Sequence, residues 1–174
     1  MAGARKSGAH RVNLNVAFPT LGTAPPAAIW VYDAFAENGG ASGASTTAPG
    51  YDPYLEAVVE MALTLEAALT GQITNYTTFS VTHRNAAATT KNAFTIVCST
   101  TAYVFAAFIP ANLNVASGAT IPGGGTGTLT IGTGTALPWK LVPGDTITLT
   151  ATATGNGQYA GGFALSFIVA GYGA

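Results

Sequence analysis

The chain has 174 residues, enough for one domain that buries about 70% of the surface its unfolded form exposes. Hydrophobic residues make up 48% and charged residues only 7%, against about 25% charged in an ordinary soluble domain. The net charge is −1, and the 83 residues after Lys91 carry only Lys140 and Asp145, which makes a poor nucleic-acid binder; so low a charge points to a surface covered by other protein or built of neutral hydroxyls.

Residues 1–11 carry Arg5, Lys6 and Arg11 and read as a flexible basic arm; residues 12–174 read as a single β domain. Val12, Leu14, Val16 and Phe18 alternate with Asn13 and Asn15, which predicts a first strand. A second strand, "AIWVYDAF", places Trp30 and Tyr32 on one face and Ile29, Val31 and Asp33 on the other. Residues 37–53, rich in Gly, Ser and Thr, read as a long loop.

Residues 54–65 fit two patterns. Propensity favours a helix, but Leu55, Ala57, Val59, Met61, Leu63 and Leu65 form an unbroken apolar face at period two, which predicts a strand. Farther on, "TTFSVTHR" sets Phe79, Val81 and His83 on one face, and the stretch from Asn92 to Ile109 holds one or two strands ending at Pro110. "ANLNVA" adds a short strand, and turn glycines surround another at Thr128–Ile131. After the turn Pro143-Gly144-Asp145, Ile147, Leu149, Ala151 and Ala153 alternate with Thr146, Thr148, Thr150, Thr152 and Thr154. The last strand sets Phe163, Leu165, Phe167 and Val169 on one face. Short strands between Gly, Asn and Pro clusters predict an all-β antiparallel domain, a sandwich or jelly roll.

No constellation for catalysis emerges. His10 falls in the arm and His83 at a strand end beside Arg84, where a surface residue is the simpler reading than a general base. Glu56 and Glu60 share a strand face in solvent. "GGGTGTLTIGTG" lacks the Lys-Ser/Thr end that a phosphate loop needs and reads as hairpin turns. Cys98 is the single cysteine, so neither a disulfide within the chain nor a cysteine-based metal cluster is expected, and its apolar strand predicts burial. The N-terminal residues do not resemble a secretion signal, so "NYT" at 75–77 is not expected to be glycosylated, and no run has the length of a membrane span. Trp30, Tyr32, Tyr51, Tyr54 and Trp139 could stack on a sugar, though core or interface anchors are the commoner role. No enzyme activity, cofactor or metal is expected.

The last third, carried by Leu141, Pro143, Gly144, Asp145, Ile147, Leu149, Gly155 and Gly157, resembles the Gly-Asp hairpin and closing strand of capsid decoration (cement) proteins of tailed bacteriophages; "LTGQITNYTTFSVTHRNAA" is similar to their strand-turn-strand. The resemblance covers about 100 residues; the long 37–53 loop and the acidic 54–66 segment fall outside the pattern. It implies a non-catalytic β-sandwich, made in the host cytoplasm, that sits on the outer surface of an icosahedral head as a homo-oligomer, a trimer favoured. The major capsid protein would be its partner, and Arg5, Lys6 and Arg11 would become ordered against that partner or a sister subunit. A head-fibre, tail or receptor-binding component and a carbohydrate-binding module are the alternatives.

Overall fold

The computed structural model describes residues 9–16, 27–32, 56–121, 128–156 and 161–171. Among these the regular structure is entirely antiparallel strand. Four pairs within the two main sheets are nested in the sequence. β1 (His10–Val16) pairs with β12 (Phe163–Gly171), and β2 (Ala27–Val31) with β11 (Thr146–Thr154). Inside them β3 (Glu56–Leu65) pairs with β10 (Trp139–Lys140), and β5 (Tyr76–Arg84) with β6 (Thr90–Val97). First with last, second with next-to-last and so inward is the connectivity of a jelly roll, a long antiparallel ribbon folded over on itself.

The ribbon forms two sheets. The first has the order β1-β12-β3-β10, with β8 (Ala111–Asn112) also on β3; the second has the order β2-β11-β5-β6-β9, where β9 is Leu129–Thr133. A small ladder joins β4 (Leu69–Thr70) to β7 (Val104–Phe105). Alternation explains why the sheets face each other. Phe163, Leu165, Phe167 and Val169 of β12 point inward, as do Phe79, Val81 and His83 of β5. Phe79 meets Phe163 edge-on at 5.3 Å, and Trp30 meets Phe167 at 5.1 Å. Each such side chain taken fully out of water stabilises the fold by about 1.5–3 kcal/mol.

The sequence reading of 54–65 as strand rather than helix holds over Glu56–Leu65, but one face assignment does not. The register with β12 slips where Glu60 partners Ile168 and Val58 partners Val169, so Val59 is the extra residue of a β-bulge. One inserted residue exchanges the two faces of the strand beyond it. Met61, Leu63 and Leu65 are buried as expected, whereas upstream Val58 and Glu56 turn inward.

A second correction concerns the arm. β1 begins at His10, so His10 and Arg11 belong to the first sheet. Their partners Val169 and Ile168 extend the β12 ladder that far, and cross-strand hydrogen bonding outweighs the polar composition of the segment. Arg5, Lys6, the 37–53 loop, Tyr51 and Tyr54 lie outside the described residues.

The hairpin joining β5 to β6 is closed by bonds from Asn85 N–H to Thr89 O (3.0 Å) and from Ala88 N–H to Asn85 O (2.9 Å), and Ala88 adopts φ +62°. An alanine in this left-handed region is strained where glycine is not. Ala88→Gly is therefore expected to raise stability by about 0.5–1 kcal/mol, read as a melting temperature about 2 °C higher.

Candidate functional site

A buried polar cluster lies between the sheets, at the end where β11 begins. The turn Val142–Asp145 is closed by Asp145 N–H donating to Val142 O at 2.9 Å and Val142 N–H donating to Asp145 Oδ2 at 3.0 Å. Gly144 supplies the positive φ of +87° that the turn requires. Because Ile147 and Leu149 face inward, Asp145 two residues earlier also faces inward, and it is 1% exposed.

His83, 0% exposed, meets the same carboxylate oxygen at 2.7 Å through Nε2, and Lys91 Nζ donates to it at 2.9 Å. Lys91 reaches it because it is the extra residue of a bulge: Asn92 partners His83 and Thr90 partners Arg84, which re-aims the side chain between them. Asn92 Oδ1 accepts from Thr135 N–H at 3.1 Å, so its amide NH2 is the group that faces His83 Nδ1 at 2.9 Å. The imidazole therefore accepts at Nδ1 and donates from Nε2. Gly134, at φ +74°, lets the loop close over Asn92 where a Cβ would strike the amide oxygen. Trp139 stacks on His83 at 5.8 Å and 18°.

Burial pushes the Asp145 carboxyl up, but the donors His83, Lys91 and Val142 N–H outweigh it and hold the group below the ordinary value of 3.8. A second buried acid, Glu56, is joined to the cluster through Tyr32. Tyr32 Oη donates to Glu56 Oε2 at 2.7 Å, while Tyr32 N–H donates to Asp145 O at 2.7 Å and Leu141 N–H donates to Glu56 O at 2.9 Å. The cluster thus ties β2, β3, β5, β6 and the β10–β11 turn together. His83 and Asp145 are closed to solvent and their hydrogen bonds run to Lys91, Asn92 and a backbone N–H, with no hydroxyl or thiol nucleophile among them. The arrangement supports a structural tie between the two sheets.

These positions revise the sequence reading at two points. His83 is a buried tie and not a strand-end surface residue. Glu56 and Glu60 do not share a solvated face: the Val59 bulge sends Glu56 inward, 3% exposed, and leaves Glu60 outside. Of the aromatics that could stack on a sugar, Tyr32 and Trp139 are buried, and half-buried Trp30 packs on Phe167 and Tyr32. Tyr51 and Tyr54 lie outside the described residues. No group of three His, Cys, Asp or Glu side chains able to hold a metal occurs among the described residues.

Cys98 is 0% exposed, and burial raises its thiol to about 12. It is expected to resist a thiol reagent at neutral pH in the native protein and to react stoichiometrically once urea unfolds the chain; labelling followed with and without denaturant checks this.

The outer face of the second sheet is a broad surface of a different kind. Its cross-strand rows read Ala27–Thr150–Ser80–Thr95–Thr130 and Ile29–Thr148–Thr82–Ala93, flanked by Thr152–Thr78–Val97 on one side and Val31–Thr146–Arg84 on the other. Arg84 is the one charged residue in these rows. Ile29 and Val31 stand 63% and 56% exposed at the β2 edge. The alternation of Thr with buried apolar residues in β11 foretold one strand of this face; its extension over five strands follows from the register. Of the expected partner-binding residues, Arg5 and Lys6 lie outside the described residues, and Arg11 is on the other sheet, where its Nη1 donates to Ser166 Oγ at 2.9 Å. Compared with protein-family models, curated proteins and solved structures, the chain matches none of them.

Proposed function

We propose that the chain is a non-catalytic structural protein that docks through the Thr/Ser face of its second sheet, and that the surface it docks on is the outside of an icosahedral phage head, where it stabilises the mature shell. The observation that carries the docking reading is the five-strand row Ala27–Thr150–Ser80–Thr95–Thr130, a broad face of hydroxyls and methyls with no charge in it. Such a face can be covered by protein without stripping water from ions. The phage head comes from the resemblance of the last third to decoration proteins; jelly rolls also occur among capsid, lectin and cupin domains, so the fold alone does not choose. A ligand that binds only the assembled lattice stabilises it by mass action, and repeated contacts across many copies hold it there. The major capsid protein is the partner in this reading, and no cofactor takes part.

The experiment is reconstitution. Particles produced with the gene deleted are mixed with purified chain and sedimented. Saturable binding, with a higher temperature of DNA release from the loaded particles, supports the reading. Absence of binding to intact particles overturns it, and binding to a glycan array instead would favour the carbohydrate-binding alternative.

A further inference from the structure

The outer face of the first sheet is built differently. Its rows are Ala170–Ala57–Lys140, Arg11–Ile168–Glu60, Asn13–Ser166–Ala62–Asn112 and Asn15–Ala164–Thr64. Arg11 and Glu60 are both exposed and stand in one row with a single strand between them, about 10 Å apart at ordinary strand spacing. The bond from Arg11 to Ser166 draws the guanidinium toward the middle strand and leaves it further N–H donors to offer. Glu60 has no ion-pair partner among the described residues. A shallow groove lined by Ala62, Ile168, Pro110 and Asn112 runs between the two charges.

Just before Pro110 come Phe108 and Ile109, 72% and 50% exposed. Phe108 adopts φ +59° and is fixed there by its N–H donating to Leu65 O at 2.7 Å. A bulky side chain in the left-handed region is strained, and glycine would serve the turn better. The chain instead presents an aromatic ring to solvent at the side of the groove, which is how a contact residue behaves.

We propose that this face pairs with the same face of a second copy about a two-fold axis running along β12. Such a rotation exchanges the two ends of the row, so Arg11 of one copy lies over Glu60 of the partner subunit, and Glu60 lies under Arg11 of the partner subunit. Ile168 meets Ile168 of the partner subunit on the axis. A two-fold axis across the strands would instead set like charge on like charge, so the row selects between the two aligned packings. Phe108 and Ile109 close the rim.

About an axis along β12 only β1, β12 and β3 of each copy overlap, three strands by about seven residues, about 14 Å by 23 Å, which lies below the usual size of a specific interface and makes the pair weak and reversible, with a dissociation constant on the order of micromolar or weaker. The second-sheet faces lie on the outsides of the four-layer stack, free to dock. Pairing does not depend on what they dock on, and it gives a two-fold pair where the resemblance implies a trimer.

Sedimentation velocity of the full chain over a range of concentrations tests this. The wild type is expected to pass from monomer to dimer. Arg11→Glu and Glu60→Arg should each weaken association at least about tenfold, and the double exchange Arg11→Glu/Glu60→Arg should restore it to within about threefold. Phe108→Gly should leave urea stability equal or higher while weakening association, which separates contact from folding. A chain monomeric throughout, a trimer, or a double exchange no better than the single variants would overturn the proposal.

Discussion

Asp145→Ala is expected to lower the free energy of unfolding by about 3 kcal/mol and the melting temperature by about 6–12 °C. The carboxylate is the shared acceptor of His83, Lys91 and Val142 N–H, and without it a buried imidazole N–H and the turn N–H lose their partner. Lys91, 29% exposed, can turn toward water, which keeps the loss at the low end of what breaking a buried ion pair costs. Asp145→Asn, which keeps an acceptor but no charge, should lose about 1–2 kcal/mol. Acid titration separates the charge from the shape. The folded carboxyl sits below its unfolded value, so its contribution is fully present above about 3.8 and disappears as pH falls through the folded value. The stability gap between wild type and Asp145→Asn should therefore narrow below that pH in urea unfolding. A gap unchanged from neutral to strongly acidic solution would show that the ionised carboxylate is not the tie.

Ser80→Glu is expected to weaken binding to gene-deleted particles at least about 100-fold, because a docked carboxylate on this face would be desolvated with no partner. Ser80 lies in the middle of the row, between Thr150 and Thr95. The free protein should melt within about 0.5 kcal/mol of wild type, as an outward strand position is tolerant. Ser80→Ala, which keeps the face neutral, should bind within about threefold of wild type. Equal binding by Ser80→Glu and Ser80→Ala would move the docking surface elsewhere on the molecule.

The strands were legible in the sequence wherever a pleated period repeats without interruption, as in Phe163 to Val169 and Ile147 to Ala151. Reading failed where a bulge breaks the period. Val59 and Lys91 are each one extra residue in a ladder, and no local composition marks them; only the partner strand reveals the count. That is why the sequence pattern sets Glu56 in solvent and carries no sign that Lys91 reaches Asp145. The burial of His83 was within reach, since it continues the face of Phe79 and Val81, but its charge-bearing neighbour Arg84 argued for the surface. The partner of His83 lies 62 residues away, and single-strand periodicity holds no information on such pairing. The uncharged row at the middle of the docking face is likewise a product of register: Thr150, Ser80, Thr95 and Thr130 come from four separate strands.

The most direct test of the structural reading is the copy number of this chain in purified particles, by quantitative mass spectrometry against the major capsid protein. A lattice-decorating role gives on the order of hundreds of copies in fixed ratio to the shell, as repeated symmetric sites demand. A handful of copies would assign the chain to a fibre or tail, and its absence from particles would contradict the account.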